Sequence, residues 1–293
     1  MGSPDTESAT VGQVLCVVVR TAAARVTGTE TAALDDEPDG VHQHRTAVRR
    51  LRSVLAGFRA HLDEAATNRL RVEFAVWGQQ LGLVRDTEVR ADVAAAAIDE
   101  LDLVDPDVWR RLVDDERDEY GRAHARLRHL WDEPRARARR AALREFAADV
   151  PLTGEPDTDA ADVRAVVRDE VRRVRRAANR SDGSIESLHA VRKAGRRLRY
   201  VAEALSDAAP ELFGEDCAEF AEAGEAIHDV FGNHRDVLVF LEQLQLTRAR
   251  AGRAGERVES YDLLVSRAQQ RVGEFASELG DVLKRVGAAM PDQ

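Results

Sequence analysis

The chain has 293 residues, of which 44% are hydrophobic, 33% are charged and 5% are aromatic. This is enough apolar material for one large or two modest cores, which excludes disorder over most of the chain. The 8 prolines and 19 glycines exclude collagen, low-complexity arrays and turn-rich sandwiches, and abundant Ala, Leu, Arg and Glu favour helices. The sequence therefore predicts an all-α protein.

The formal net charge of −10 would, as an average, repel a polyanionic partner. The charge is nevertheless segregated along the chain. Residues 41–62 carry five arginines and no acid, and residues 188–202 carry four arginines, one lysine and no acid. Two concentrated cationic segments therefore lie in an otherwise acidic protein.

The N-terminal end predicts a disordered tail over residues 1–10, followed by a helix. The apolar run Val14–Val19 ends at Arg20 and is far shorter than the ~20 residues of a membrane span. Cys16 and Cys217 have neither the spacing of a disulfide framework nor that of a zinc site, which fits a reducing compartment. We expect a cytoplasmic protein without a membrane partner.

The first half of the chain, residues 11–150, predicts a helix, a polar break at Gly28–Gly40 and then a cationic helix capped by Asp39 or Gly40. Val108–Ala148 is predicted as one long or broken helix, with a kink or restart at Pro134. Apolar residues of the cationic helix follow a 3.6-residue period: Val48, Leu51, Leu55, Phe58 and Leu62.

Residues 151–160 contain two prolines, a glycine and acids, and predict a linker. The second half, residues 161–288, again predicts a helix, a polar break at Ser181–Ser187 and a cationic helix, here capped by Ser187. The two halves therefore have the same order of elements.

Two motifs recur between the halves. The sequence reads VHQHRTAVRRLRSVL around His42 and LHAVRKAGRRLRYVA around His189, so His-x-x-Arg-x-x-x-Arg-Arg-Leu-Arg appears twice, 147 residues apart. LGLVRD at 81–86 is matched by FGNHRD at 231–236, 150 residues further on. The shared order and offset indicate an internal duplication. We predict about eight to ten long helices in two pseudo-twofold-related four-helix bundles, one per repeat.

In each cationic helix the His and Arg positions fall within about 80° of one another on one side. Like charges at i, i+4 destabilise an isolated helix by roughly 0.2–0.5 kcal/mol per pair, so we expect an anion against them. Guanidinium groups suit phosphate because they donate paired hydrogen bonds and stay charged at neutral pH. His42 and His189 are expected in first helical turns, where free backbone N–H groups favour anions.

The second motif adds Arg85 and Arg235, each followed by an acid, Asp86 and Asp236. We expect these acids to orient an arginine through a salt bridge. The duplication then predicts that the four motif segments converge on a cationic groove between the halves.

Together the duplicated motifs resemble those of the CHAD family, the conserved histidine α-helical domain, from about Val11 to Ala288. The resemblance implies an all-α fold with a basic central channel and non-catalytic binding of inorganic polyphosphate, often at polyphosphate granules. A polyphosphate-metabolising enzyme is then a conceivable partner. The implicated residues are His42, Arg45, Arg49, Arg50, Arg52, Arg85, His189, Arg192, Lys193, Arg196, Arg197, Arg199 and Arg235.

Two alternatives stay open: a nucleic-acid-binding protein that uses the same guanidiniums, and a metal-dependent tri- or polyphosphate hydrolase. Nucleic-acid binding is disfavoured because the motif helices offer only Phe58 and Tyr200 for base stacking. The sequence contains no Gly-x-Ser-x-Gly, Walker-type loop or paired carboxylate motif, so no catalytic residue, cofactor or metal site is predicted. Capping or core roles are expected for four histidines that have no duplicated counterpart, His44, His61, His124 and His129, whereas His228 and His234 lie near the second motif and rank below His189 as groove residues.

Overall fold

The structure, a computed structural model, describes residues 9–289 and is all-α over them. Residues 1–8 of the predicted tail lie outside the described residues, whereas Ala9 is held in place because its carbonyl oxygen accepts a hydrogen bond from Ala160 N (3.0 Å). The β pairing among the described residues is limited to isolated bridges. The helices are α1 (Val11–Gly28), α2 (Glu30–Leu34), α3 (Gly40–Gly57), α4 (Glu64–Glu100), α5 (Pro106–Trp109), α6 (Asp115–Trp131), α7 (Pro134–Ala148), α8 (Arg164–Asn179), α9 (Ile185–Ala208), α10 (Pro210–Arg253) and α11 (Glu259–Ala289).

The long helices follow the sequence pattern closely. Nine helices in the described range have 15 residues or more, within the predicted eight to ten. Pro134 is the first residue of α7, where its missing N–H is tolerated, so the predicted restart is confirmed. Between α5 and α6 a π-helical turn spans Arg110–Asp114.

The start of α9 differs from the prediction. Ser184, rather than Ser187, is the N-cap, and its hydroxyl accepts a hydrogen bond from Ser187 N (3.3 Å). The helix begins at Ile185 because this bond satisfies a free N–H of its first turn. His189 therefore stands in the second turn of α9, and the expectation of a first-turn position is wrong for this histidine.

The described residues form two compact units. Unit 1 comprises residues 9–78 and 132–228, and unit 2 comprises residues 79–131 and 229–289. Each unit takes segments from both predicted repeats, so the units differ from the expected division into one bundle per repeat. The duplication stays an interpretation of the sequence.

In unit 1, helices α1, α3 and α9 pack against one another. The apolar residues of α3 and of the turn after it are buried as their period predicts, with Val48, Leu51, Leu55, Phe58 and Leu62 all at most 2% exposed. By length and mean hydropathy, Val11–Leu34 could cross a membrane, but half of its apolar window is buried inside the protein. A buried core helix meets the same criterion, and α1 is one.

Unit 2 has its own apolar core. Tyr261 and Leu112 are fully buried in it, together with other side chains from α4, α5, α10 and α11 and from the π-helical turn. Ion pairs join its surface segments, for example Arg267 with Glu100 (2.6 Å).

Candidate functional site: an arginine cluster on α3 and α9

The two helices that carry the His-Arg motif are direct neighbours in unit 1. They approach closely at Gly57, where an added Cβ would lie 2.5 Å from Val201 Cγ2. A larger side chain there would force Val201 or one of the helices to shift. Glycine at the end of α3 therefore allows the two motif helices to pack closely.

Four motif arginines lie together on these helices: Arg45 and Arg49 of α3, and Arg192 and Arg196 of α9. We call them the α3–α9 arginine cluster. Burial, followed by the positive charge of Arg49 and then those of Arg192 and Arg45, lowers the pKa of Arg196 to about 10, although Tyr200 acts in the opposite direction. Guanidiniums from both helices thus act on one side chain, so the two cationic stripes meet inside unit 1.

Arg49 has one buried N–H donor that lacks an acceptor. Its Nη2 donates to Thr46 Oγ1 (3.0 Å), but its Nε is buried and has no hydrogen-bond partner among the described residues. A buried donor without an acceptor costs roughly 1–3 kcal/mol. An anion in contact with Arg49 would supply the acceptor.

Arg50 and Arg199 belong to the same motifs but are neutralised by acids. Arg50 pairs with Glu203 (2.6 Å) and Asp207 (3.0 Å). Arg199 pairs with Glu203 (2.6 Å) and Glu225 (3.0 Å). Both arginines are predicted polyphosphate-binding residues, and in the structure each is already paired with two acids.

Arg197 is likewise paired. It donates from Nε (2.7 Å) and Nη2 to the carboxylate of Glu170, which is 2% exposed and also accepts from Arg173 (3.2 Å). A carboxylate this deeply buried needs such partners. Arg197 therefore neutralises the buried carboxylate of Glu170.

The cationic surface extends beyond the motifs. Burial and then the charge of Arg71 lower the pKa of Arg52. The pKa of Arg71 is itself lowered by burial and then by the charges of Arg197 and Arg59. Arg59 and Arg71 are not among the predicted site residues because neither belongs to a repeated motif, although Arg59 lies in the acid-free segment 41–62.

The remaining unit 1 candidates differ in position. His42 is half-buried in the first turn of α3, as predicted. His189 and Lys193 are exposed on α9. The binding role of all three stays a prediction.

The second motif lies in unit 2. Arg85 pairs there with Glu88 (2.7 Å), one turn further along α4, while Arg235 is exposed. Asp86 and Asp236 are half-buried. The convergence of these residues with the α3–α9 arginine cluster, and the orienting role of the two acids, stay predictions.

His44 belongs to the core, as expected for a histidine outside the repeated motif positions. Trp77 Nε1 donates to its Nε2 (2.9 Å), and its Nδ1 lies 2.9 Å from Thr29 Oγ1. These bonds fit a neutral ring with the proton on Nδ1. Burial, and then the charge of Arg139, lowers the pKa of His44 to about 4.

Among the described residues, no group of three or more His, Cys, Asp or Glu side chains could hold a metal ion.

Comparison with known proteins assigns the chain to a family. Residues 18–245 match the family model of the CHAD domain. Two Mycobacterium tuberculosis proteins, the uncharacterized proteins MT2285 and Rv2226, are each 26% identical over 272 residues, or 89% of this chain. The chain spans about half (50%) of the length of these curated relatives.

Two solved structures share the fold. PptA from Streptomyces chartreusis superposes with a TM-score of 0.73 at 20% identity, covering 94% of this chain and all (100%) of PptA. The CHAD domain from the plant Ricinus communis gives 0.68 at 22% identity, covering 95% of this chain and 93% of that one. The all-α fold agrees with both, and the family model covers most of the chain. This chain therefore belongs to the CHAD domain family.

Proposed function

We propose that the protein binds inorganic polyphosphate non-catalytically through the α3–α9 arginine cluster, with His42, Arg52 and Arg71 extending the contact. The supporting observation is Arg196, whose charge is opposed by three other arginines from two packed helices. Repulsion among these like charges raises the free energy of the folded protein. A linear polyanion bound along them would offset that repulsion.

Several features favour polyphosphate over a nucleic acid. The cluster offers closely spaced charge, whereas base stacking requires exposed aromatic faces. Phe58 and Tyr200 are the aromatic residues of the motif segments, and both are buried, at 0% and 4% exposure. A chain made only of phosphates needs no such platform.

The test replaces the four cluster arginines by glutamine and measures the affinity of labelled long-chain polyphosphate by fluorescence anisotropy at moderate salt. The matched control replaces four exposed arginines, Arg69, Arg128, Arg168 and Arg257, by glutamine, which changes the net charge equally. We expect at least a hundredfold loss in the cluster variant, since each charge-assisted contact contributes about 1.5–3 kcal/mol, and a much smaller loss in the control. Equal losses in the two variants would contradict the assignment.

The other activities have their own tests. Single- or double-stranded nucleic acid at equal phosphate concentration should fail to displace polyphosphate; effective displacement would favour the nucleic-acid alternative. Phosphate release from polyphosphate with Mg²⁺ or Mn²⁺ over hours would favour a hydrolase.

We also propose that the protein resides at cytoplasmic polyphosphate granules, as the family resemblance implies. A fluorescent fusion that stays diffuse in granule-containing cells would refute this location.

A further inference from the structure

A hollow of about 650 Å³ lies between α8 and α9 in unit 1. Five cationic side chains line it: Arg173, Arg176 and Arg180 from the α8 side, and Lys193 and Arg197 from α9. No acid is among the lining residues. Cations of two helices therefore line the same open hollow.

The hollow faces a different side of α9 from the α3–α9 arginine cluster. On a helical wheel its α9 residues are centred about 130° from the motif stripe that carries Arg192 and Arg196. Its partner helix is also different, because α8 rather than α3 forms the opposite wall. The hollow is thus a separate surface feature of unit 1.

Its charge is only partly compensated. Glu170 neutralises one of the two arginines it contacts, Arg173 and Arg197. None of the ion pairs among the described residues includes Arg176, Arg180 or Lys193. The five cations and this one carboxylate leave a surplus of four positive charges.

Other arginines of α8 show what an ordinary solvated surface looks like. Arg164 pairs with Asp216 (2.6 Å), and Arg172 pairs with Asp169 one turn before it. Acids are therefore placed next to arginines elsewhere on this helix but are missing from the hollow. Like charges at i, i+3 and i, i+4 repel, so the row Arg173, Arg176 and Arg180 is unfavourable unless an anion lies against it.

Small side chains keep the space open. Ala177, Ala190 and Ala194 line it together with the cations. Leucine at the exposed Ala190 would fill part of the hollow without a change of charge.

We propose that this hollow, the α8–α9 pocket, binds a compact oligophosphate of triphosphate size. A single phosphate group carries roughly −1.5 to −2 at neutral pH and would match at most half of the surplus charge. A triphosphate comes close to matching it, and the volume lies within the range of small-ligand sites. The triphosphate can come from inorganic triphosphate or from a nucleotide, and the pocket recognises the chemistry that they share.

The experiment is calorimetric titration of the full chain with inorganic triphosphate. It is carried out in the wild type and in the variant with four glutamines in the α3–α9 arginine cluster, so that the pocket is measured alone. Arg176→Gln with Arg180→Gln should weaken binding at least tenfold, about one charge-assisted contact or more. Arg168→Gln with Arg172→Gln, on the same helix but outside the pocket, should change it less than about twofold.

Ala190→Leu should also weaken triphosphate binding while the protein keeps its charge. ATP should displace triphosphate if nucleotides are the source, and failure of ATP to compete assigns the pocket to inorganic oligophosphate; both results support triphosphate chemistry. Absence of triphosphate binding, equal losses in the two paired variants, or no effect of Ala190→Leu would overturn the proposal. Loss of long-chain polyphosphate binding in the cluster variant with triphosphate binding intact would separate the two sites.

Discussion

Replacing Arg196 by methionine is expected to stabilise the protein when no polyanion is bound. Arg196 lies among Arg49, Arg192 and Arg45, and its surroundings lower its pKa to about 10. At neutral pH the side chain is charged in both the folded and the unfolded state, so the folded state bears the full cost of that charge. Methionine removes the charge and keeps most of the aliphatic stem.

The size of the effect follows from the pKa. A lowering from the ordinary arginine value to about 10 corresponds to roughly 3 kcal/mol. Arg196 keeps some contact with solvent, which screens part of this cost. We therefore expect the free energy of unfolding to rise by about 1–2 kcal/mol.

Urea-induced unfolding at low salt measures this directly, because urea leaves electrostatics unscreened. Arg197→Met is the matched control on the same helix, since Arg197 pairs with the buried Glu170. It should lower the free energy of unfolding by about 2 kcal/mol or more, because a buried carboxylate loses one of its two partners. A wild-type-like or lower free energy of unfolding for Arg196→Met would refute the idea of electrostatic crowding in the cluster.

Two other predictions concern the stability of unit 1. Since the pKa of His44 is about 4 when folded, the unfolded chain takes up a proton first as the pH falls below about 6.5. The free energy of unfolding should therefore drop by about 3 kcal/mol between pH 6.5 and 4, and His44→Gln should flatten that profile in urea titrations. Gly224→Ala should lower the free energy of unfolding by roughly 1–3 kcal/mol or more, because its Cβ would lie 2.6 Å from the carbonyl oxygen of Gly195. Gly214→Ala, which meets nothing within 4 Å, should raise it by roughly 0.5–1 kcal/mol; thermal unfolding that ranks the two alike would contradict this account.

Sequence periodicity was sufficient to predict the cationic face of α3. Val48, Leu51 and Leu55 recur every three or four residues, and a helix must bury such a face. Burying it leaves Arg45 and Arg49 on an adjoining side, where the structure has them half-buried. The same argument works for α9, because side-chain direction along a helix is fixed by geometry.

The choice of counterions could not be predicted in this way. Glu203 is four residues after Arg199, a spacing that signals a local pair. Its second partner, Arg50, is 153 residues away in the chain, and only the packing of α3 on α9 brings them together. Four of the motif arginines therefore form the cluster, while Arg50, Arg197 and Arg199 are occupied by acids.

Two of the three boundaries between the compact units could not be predicted from sequence patterns. The third, between Trp131 and Asp132, lies at the break before Pro134 that composition does mark. The other two fall at Gly78 in α4 and at His228 in α10. Both positions are inside long continuous helices, where neither proline nor a loop composition marks a change. The linker at 151–160, which composition does mark, lies within unit 1.

The salt dependence of polyphosphate binding tests the central claim most directly. Each phosphate neutralised on a single strand releases counterions and contributes about 0.7 to the slope of log affinity against log salt. Glutamine at all four positions of the α3–α9 arginine cluster should therefore make that slope shallower by roughly three, while the control with four exposed arginines replaced should keep most of the wild-type slope. A cluster variant with the wild-type slope would show that polyphosphate, if bound, lies elsewhere.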